Sequence, residues 1–128
     1  MAWLFAATIG WAQSTGSPAE TEARALYDQG VRYYEQREFD LAVRLWQKAY
    51  ALTPLPAIAY NIAKATEDGN HPVEALAAWK AYFEVAPADA RPATEARIAA
   101  LTAVVEALEP VSEPAPALPR PVAPEPTE

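Results

Sequence analysis

Few side chains here are typed and spaced for catalysis. The 128-residue chain has one histidine, His71, in the polar break DGNHP at 68–72. With no second ligand type at metal spacing, His71 reads as a solvated turn residue. Glu67 and Asp68 are adjacent, so on a helix they point in different directions and do not form an acid/base pair. There is no cysteine, which removes disulfides, thiol catalysis and cysteine-based metal sites. No serine or threonine sits in a nucleophile elbow, and the four glycines form no phosphate loop. The sequence therefore predicts a protein that is not an enzyme, with no cofactor and no metal site.

Charge narrows the partners. At a net charge of −7, with ten basic residues that form no cluster, nucleic acid and anionic membrane surfaces are disfavoured. An apolar content of 52% allows one small domain with a core. What remains is binding of a protein or peptide, and the elements that would position such a surface are set by an internal repeat.

From Gly30 to Pro54 the chain reads GVRYYEQREFDLAVRLWQKAYALTP. Gly30, Ala42, Trp46, Ala49 and Pro54 are separated by steps of twelve, four, three and five, and the same steps from Ala63 reach Ala75, Trp79, Tyr82 and Pro87. The offset is 33 residues, with no gap inside the unit. Each unit divides into two apolar-periodic segments around a polar break, which predicts two helices per unit. Ala42 and Ala49 share a helical face and let a partner helix approach closely, while Trp46 fills the volume beside them. A glycine inside a helix costs about 1 kcal/mol, so Gly30 is expected to serve packing, and Tyr33 is expected between the helices with Trp46. Pro54 ends the unit.

These residues resemble the tetratricopeptide repeat, whose pattern is an aromatic or Leu, then Leu, Gly and Tyr on the first helix, followed by Ala, an aromatic, Ala and a closing Pro on the second. The first unit supplies Leu26, Gly30, Tyr33, Ala42, Trp46, Ala49 and Pro54, with Gln29 where Leu is usual. The second keeps Ile62, Ala63, Ala75, Trp79 and Pro87, with Thr66 in place of the aromatic and Tyr82 in place of a small residue. Thr53-Pro54-Leu55 is also found in ankyrin repeats, but there a short turn precedes the tripeptide, whereas here a long helical run does. The resemblance implies an all-α fold: two antiparallel helix-turn-helix units and a C-terminal capping helix in a short right-handed α-solenoid. It also implies a concave face lined by Arg24, Tyr27, Val31, Tyr34 and Glu35, then Tyr60, Asn61, Lys64, Glu67 and Asp68. Three tyrosines there suit an extended peptide, because each offers a rigid ring and a hydroxyl. The alternative is that Tyr27 or Tyr34 packs against the linker or the final helix. Family members that grip a C-terminal carboxylate use Lys and Asn on the first helices. Here Tyr27 and Val31 stand in those places and only Asn61 matches, so carboxylate gripping is not expected.

The predicted helices run from Pro18 or Thr21 to Gln36, Phe39 to Thr53, Leu55 or Pro56 to Glu67, Val73 to Ala86, and Arg91 to Leu108. In the last, Ile98, Leu101, Val105 and Leu108 form one apolar stripe, suited to closing the stack or, with coiled-coil spacing, to a homodimer through 91–108. Beyond it, 109–128 holds more than half of the thirteen prolines. That composition predicts a disordered extension of polyproline II character, serving as a spacer or read by an aromatic groove. Residues 13–20 read as a linker ahead of a helical domain at 21–108.

At the other end, AWLFAATIGWA (2–12) is apolar and uncharged and closes on small residues, as an export signal does, though without a basic start. It falls short of the about twenty residues a membrane span needs. The sequence thus predicts an exported protein, periplasmic or extracellular, acting as an interaction scaffold or as a self-associating envelope component. If 2–12 is cut on export, N-terminal sequencing of fractionated material will find a mature chain that begins at Gln13 outside the cytoplasm. Intact Met1 on cytoplasmic protein is the contrary result.

Overall fold

Prolines and capping groups set where the helices begin. The structure, a computed structural model, describes residues 16–108. The expected signal segment 2–12 and the proline-rich stretch 109–128 lie outside the described residues, as do linker positions 13–15. The described chain is all-α: α1 (Pro18–Glu35), α2 (Phe39–Leu52), α3 (Pro56–Asp68), α4 (Pro72–Val85), a 3₁₀ turn (Ala88–Ala90) and α5 (Arg91–Leu108). Proline opens α1, α3 and α4, where its missing N–H would have had no helical partner. At α1 the Ser17 hydroxyl accepts the Glu20 N–H at 3.2 Å, and Glu20 complements the helix dipole.

The 33-residue period is carried into the backbone. Arg37 and Asn70 occupy equivalent turns with φ of 64° and 63°, a left-handed conformation uncommon for residues with a side chain. In the first turn the Arg37 N–H donates to the Tyr34 carbonyl and the Glu38 N–H to that of Tyr33. In the second, Asn70 donates to Glu67 and His71 to Thr66. These bonds satisfy the last carbonyls of α1 and α3 and reverse the chain within three residues.

Each helix packs chiefly on its sequence neighbours, so two hairpins, α1–α2 and α3–α4, stack in solenoid-like order with α5 against α4. One core cluster holds Ala23, Tyr27, Tyr34, Trp46 and Ile58, and the other holds Ala63, Trp79, Tyr82 and Leu101. Helix α3 serves both, and Ile58, Ala59, Asn61, Ala63, Ala65 and Thr66 are all buried. Within the first hairpin Trp46 is fully buried against Gly30. A Cβ at position 30 would lie 2.6 Å from Trp46 Cδ1 and 2.8 Å from Cε2, closer than packed atoms approach. Ala42, Ala49, Ala63 and Ala75 are likewise buried completely.

Two expectations need correction. Tyr33 is 37% exposed, whereas Tyr34 is the tyrosine buried between the helices. The buried face of α1 runs Ala23, Tyr27, Gly30, Tyr34, in steps of four, three and four, which leaves Tyr33 rotated outward. The apolar stripe of α5 is also only partly used: Leu101 is buried and Ile98 packs on the second cluster, but Leu108 is 61% exposed. Tyr82, at a position where the repeat pattern has a small residue, is accommodated by edge contacts with Tyr60 and Trp79 at ring separations of 5.4 and 5.9 Å.

Trp46→Ala should cost about 3–5 kcal/mol in chemical denaturation by removing a fully buried indole. Gly30→Ala should cost about 1–3 kcal/mol despite alanine's better helix propensity, because its methyl group meets the indole. In the double variant the methyl enters the space the indole vacated, so the combined loss should be smaller than the sum.

Candidate functional site

The face expected to bind a partner is built from α1 and α3, and most of its polar atoms are engaged within the protein. Asn61, fully buried, donates through Nδ2 to the Tyr27 hydroxyl at 2.9 Å. Two helical turns toward the C-terminal end of α1, the Tyr34 hydroxyl donates to the Asp68 carboxylate, which also accepts from Lys64 Nζ at 3.1 Å. These two tyrosines therefore fasten α1 to α3. Burial disfavours the phenolate and raises the pKa of both Tyr27 and Tyr34 above the ordinary value, and for Tyr34 the Asp68 carboxylate adds to the effect.

Glu67 faces the other way. Its carboxylate accepts the Trp79 indole N–H at 2.8 Å and the Arg97 guanidinium at 2.8 and 2.9 Å, joining α3 to both α4 and α5. The same guanidinium lies 4.9 Å from the Trp79 ring centroid, within cation–π range. Glu67 and Asp68, adjacent in sequence, thus serve opposite junctions of α3.

Of the ten residues expected on the concave face, Tyr27, Tyr34 and Asn61 are buried and belong to the junction between hairpins. Their rings and amide are not presented to a partner, which corrects that part of the sequence expectation. Arg24 and Glu35 are exposed, and Val31, Tyr60, Lys64, Glu67 and Asp68 are half-buried. Arg97 went unrecognised in the sequence. The signal was present, because Arg97 stands 33 residues after Lys64 and so occupies the same place in the repeat.

Two cavities flank α3 on opposite sides. One, of about 230 Å³, lies between α3, α4 and α5 and is lined by Tyr60, Trp79, Tyr82, Ala93, Thr94 and Arg97. The other, of about 320 Å³, lies between α2 and α4 over Ile62 and Thr66, with Asp40, Arg44 and Glu74 at its edges. His71 stands at its margin as the residue before α4, exposed, with Nε2 3.0 Å from Asp40 Oδ1. Among the described residues no group of three or more His, Asp or Glu could hold a metal ion, and no helix is long and apolar enough to cross a membrane. No family model, curated protein or solved structure matches this chain.

The buried tyrosines make stability depend on alkaline pH. Tyr27, Tyr34 and Tyr82 hold their protons more tightly when folded than at the ordinary value of 10.0, so their contribution is complete below pH 10 and is lost as pH rises through the folded values. Denaturation midpoints should stay level with respect to these groups up to about pH 10 and fall above it. Tyr34→Phe should lose about 1–3 kcal/mol at neutral pH, the worth of a hydrogen bond to a carboxylate, and should show a shallower alkaline decline.

Proposed function

We propose that the protein is an exported, non-enzymatic scaffold of the tetratricopeptide-repeat type that holds a peptide or protein partner along the outward side of α1 and α3. The observation that carries this is the 33-residue register, repeated in sequence, in helix limits and in the paired left-handed turns at Arg37 and Asn70. Stacked hairpins of this kind present the first helices of successive units side by side, which makes an extended surface from local packing alone. On that surface Val31 and Tyr60 supply apolar area and Arg24 and Lys64 supply positive charge, bordered by the carboxylates of Glu35 and Asp68.

Tyr60 is the anchor on this surface. Its ring is held by edge contacts with Trp79 at 5.3 Å and Tyr82 at 5.4 Å, so ordering it on binding costs little entropy. Export of the scaffold is supported by the apolar, uncharged segment 2–12.

A second arrangement, self-association through the end of α5, is favoured by Val104 and Leu108, which are 46% and 61% exposed on a helix otherwise closing the stack.

Affinity capture from the native cell envelope, followed by titration of the purified partner, tests the scaffold. Tyr60→Ala should weaken binding by about 1–2 kcal/mol, and Lys64→Glu should slow association with an acidic partner. Lys48→Glu on the exposed side of α2 should leave both unchanged. Equal affinity for all four proteins would overturn this surface. Leu108→Asp tests the second arrangement by sedimentation, where loss of a dimer is the expected sign.

A further inference from the structure

On the side of α3 away from Tyr60 and Lys64, helices α2 and α4 enclose the larger groove, of about 320 Å³. Its floor is Val43, Ile62 and Ala78, each half-buried, so the groove has an apolar base that the fold leaves uncovered. One end is closed where α2 and α4 begin, by the contact of His71 Nε2 with Asp40 Oδ1 at 3.0 Å. Asp40 stands four residues before Arg44, the spacing of a helical ion pair, yet its carboxylate is turned to His71 instead. Arg44 on the α2 wall and Glu74 on the α4 wall are both exposed, and among the described residues neither has an ion-pair partner. Two uncompensated charges of opposite sign therefore border one apolar floor.

We infer that this groove binds a short apolar peptide with both ends free, its ammonium group held by Glu74, its terminal carboxylate by Arg44 and its side chains resting on Val43 and Ile62. Charge selects a ligand of this kind. A purely anionic or purely cationic molecule satisfies one wall and sets a like charge against the other, whereas a zwitterion pairs with both. The floor adds the second requirement, because apolar side chains gain by covering it. Size sets the third. From Asp40 to Gln47 helix α2 rises about 10 Å, and an extended residue spans about 3.3 Å, so the groove has the length of two or three residues. A partner helix about 10 Å across would occupy about 800 Å³ over the same length and does not enter. Gln47, exposed on the α2 wall one turn beyond Arg44, places an amide where it can donate to the same carboxylate.

Leucyl-leucine titrated into the isotope-labelled full chain tests this site. The backbone amides of Val43, Ile62 and Ala78 should shift and saturate with a dissociation constant on the order of 0.1 to 1 mM, the range open to so small a ligand. Acetylating the peptide's amino group, or amidating its carboxyl group, should weaken binding about tenfold, since each removes one charged hydrogen bond. Arg44→Gln should weaken the free dipeptide by a similar factor and leave the affinity of the amidated one unchanged. Glu74→Gln should do the same for the acetylated form. Both replacements are at exposed side chains, so the fold is retained, and Lys80→Gln, which removes a charge from α4 outside the groove, should change nothing. Absence of saturation by about 10 mM would overturn the inference. So would an end-blocked dipeptide that binds as tightly as the free one, or a loss with Lys80→Gln equal to that with Arg44→Gln. Shifts confined to Tyr60 and Arg97 would place the peptide on the opposite side of α3 and overturn it as well.

Discussion

The close approach of α1 to α2 depends on Trp46 lying where residue 30 has no side chain. An indole is the largest apolar group available, and burying it completely requires the facing helix to lose its own bulk at the point of contact. Gly30 supplies that loss, and Ala42 and Ala49 on either side of Trp46 let the two backbones close over it. The indole N–H would be left unsatisfied in such a place, but it donates to the Tyr27 carbonyl at 3.0 Å. The second hairpin uses the same arrangement with Ala63 opposite Trp79, and there the indole N–H donates to the Glu67 carboxylate instead.

That change of acceptor has consequences beyond the hairpin. A backbone carbonyl inside α1 ties Trp46 to its own unit, whereas a side-chain carboxylate on α3 can accept from more than one element. Glu67 takes both the Trp79 indole and the Arg97 guanidinium, and so couples the packing of α4 to that of α5. Asp68, one residue on, closes the opposite junction through Tyr34 and Lys64. A helix buried on two sides has little free face on which to leave polar groups, and α3 resolves this by pairing Asn61, Glu67 and Asp68 with neighbouring helices and Thr66 with its own Ile62 carbonyl.

Stacking of this sort leaves an end that must be covered. Helix α5 does so with Ile98 and Leu101, in the place a third unit would begin. It does so incompletely, because its methyl group at position 93 is smaller than the ring the preceding unit carries there, and because the helix continues to Leu108 with Val104 exposed.

Period, helix number and helix limits were legible in the sequence, because each is set by local chemistry. Prolines at 18, 56 and 72 start helices wherever they stand, alanine and glycine mark close contacts, and a 33-residue repetition of both leaves one arrangement of alternating helices. The fate of individual side chains was less legible. Tyr33 and Tyr34 are neighbours, and a rotation of one residue about α1, roughly 100°, decides which is core and which meets solvent. Pattern matching cannot settle that rotation, since it depends on how α2 and α3 together enclose α1. The same holds for Tyr27 and Asn61, whose types suit a binding face but whose hydroxyl and amide meet each other at the junction. Arg97 reaches Glu67 across 30 residues of chain, a contact that exists only because α5 folds back against the second hairpin. Sequence alone determined which elements form and in what order. Tertiary packing decided which faces they turn inward, because burial is a property of all the neighbouring helices at once.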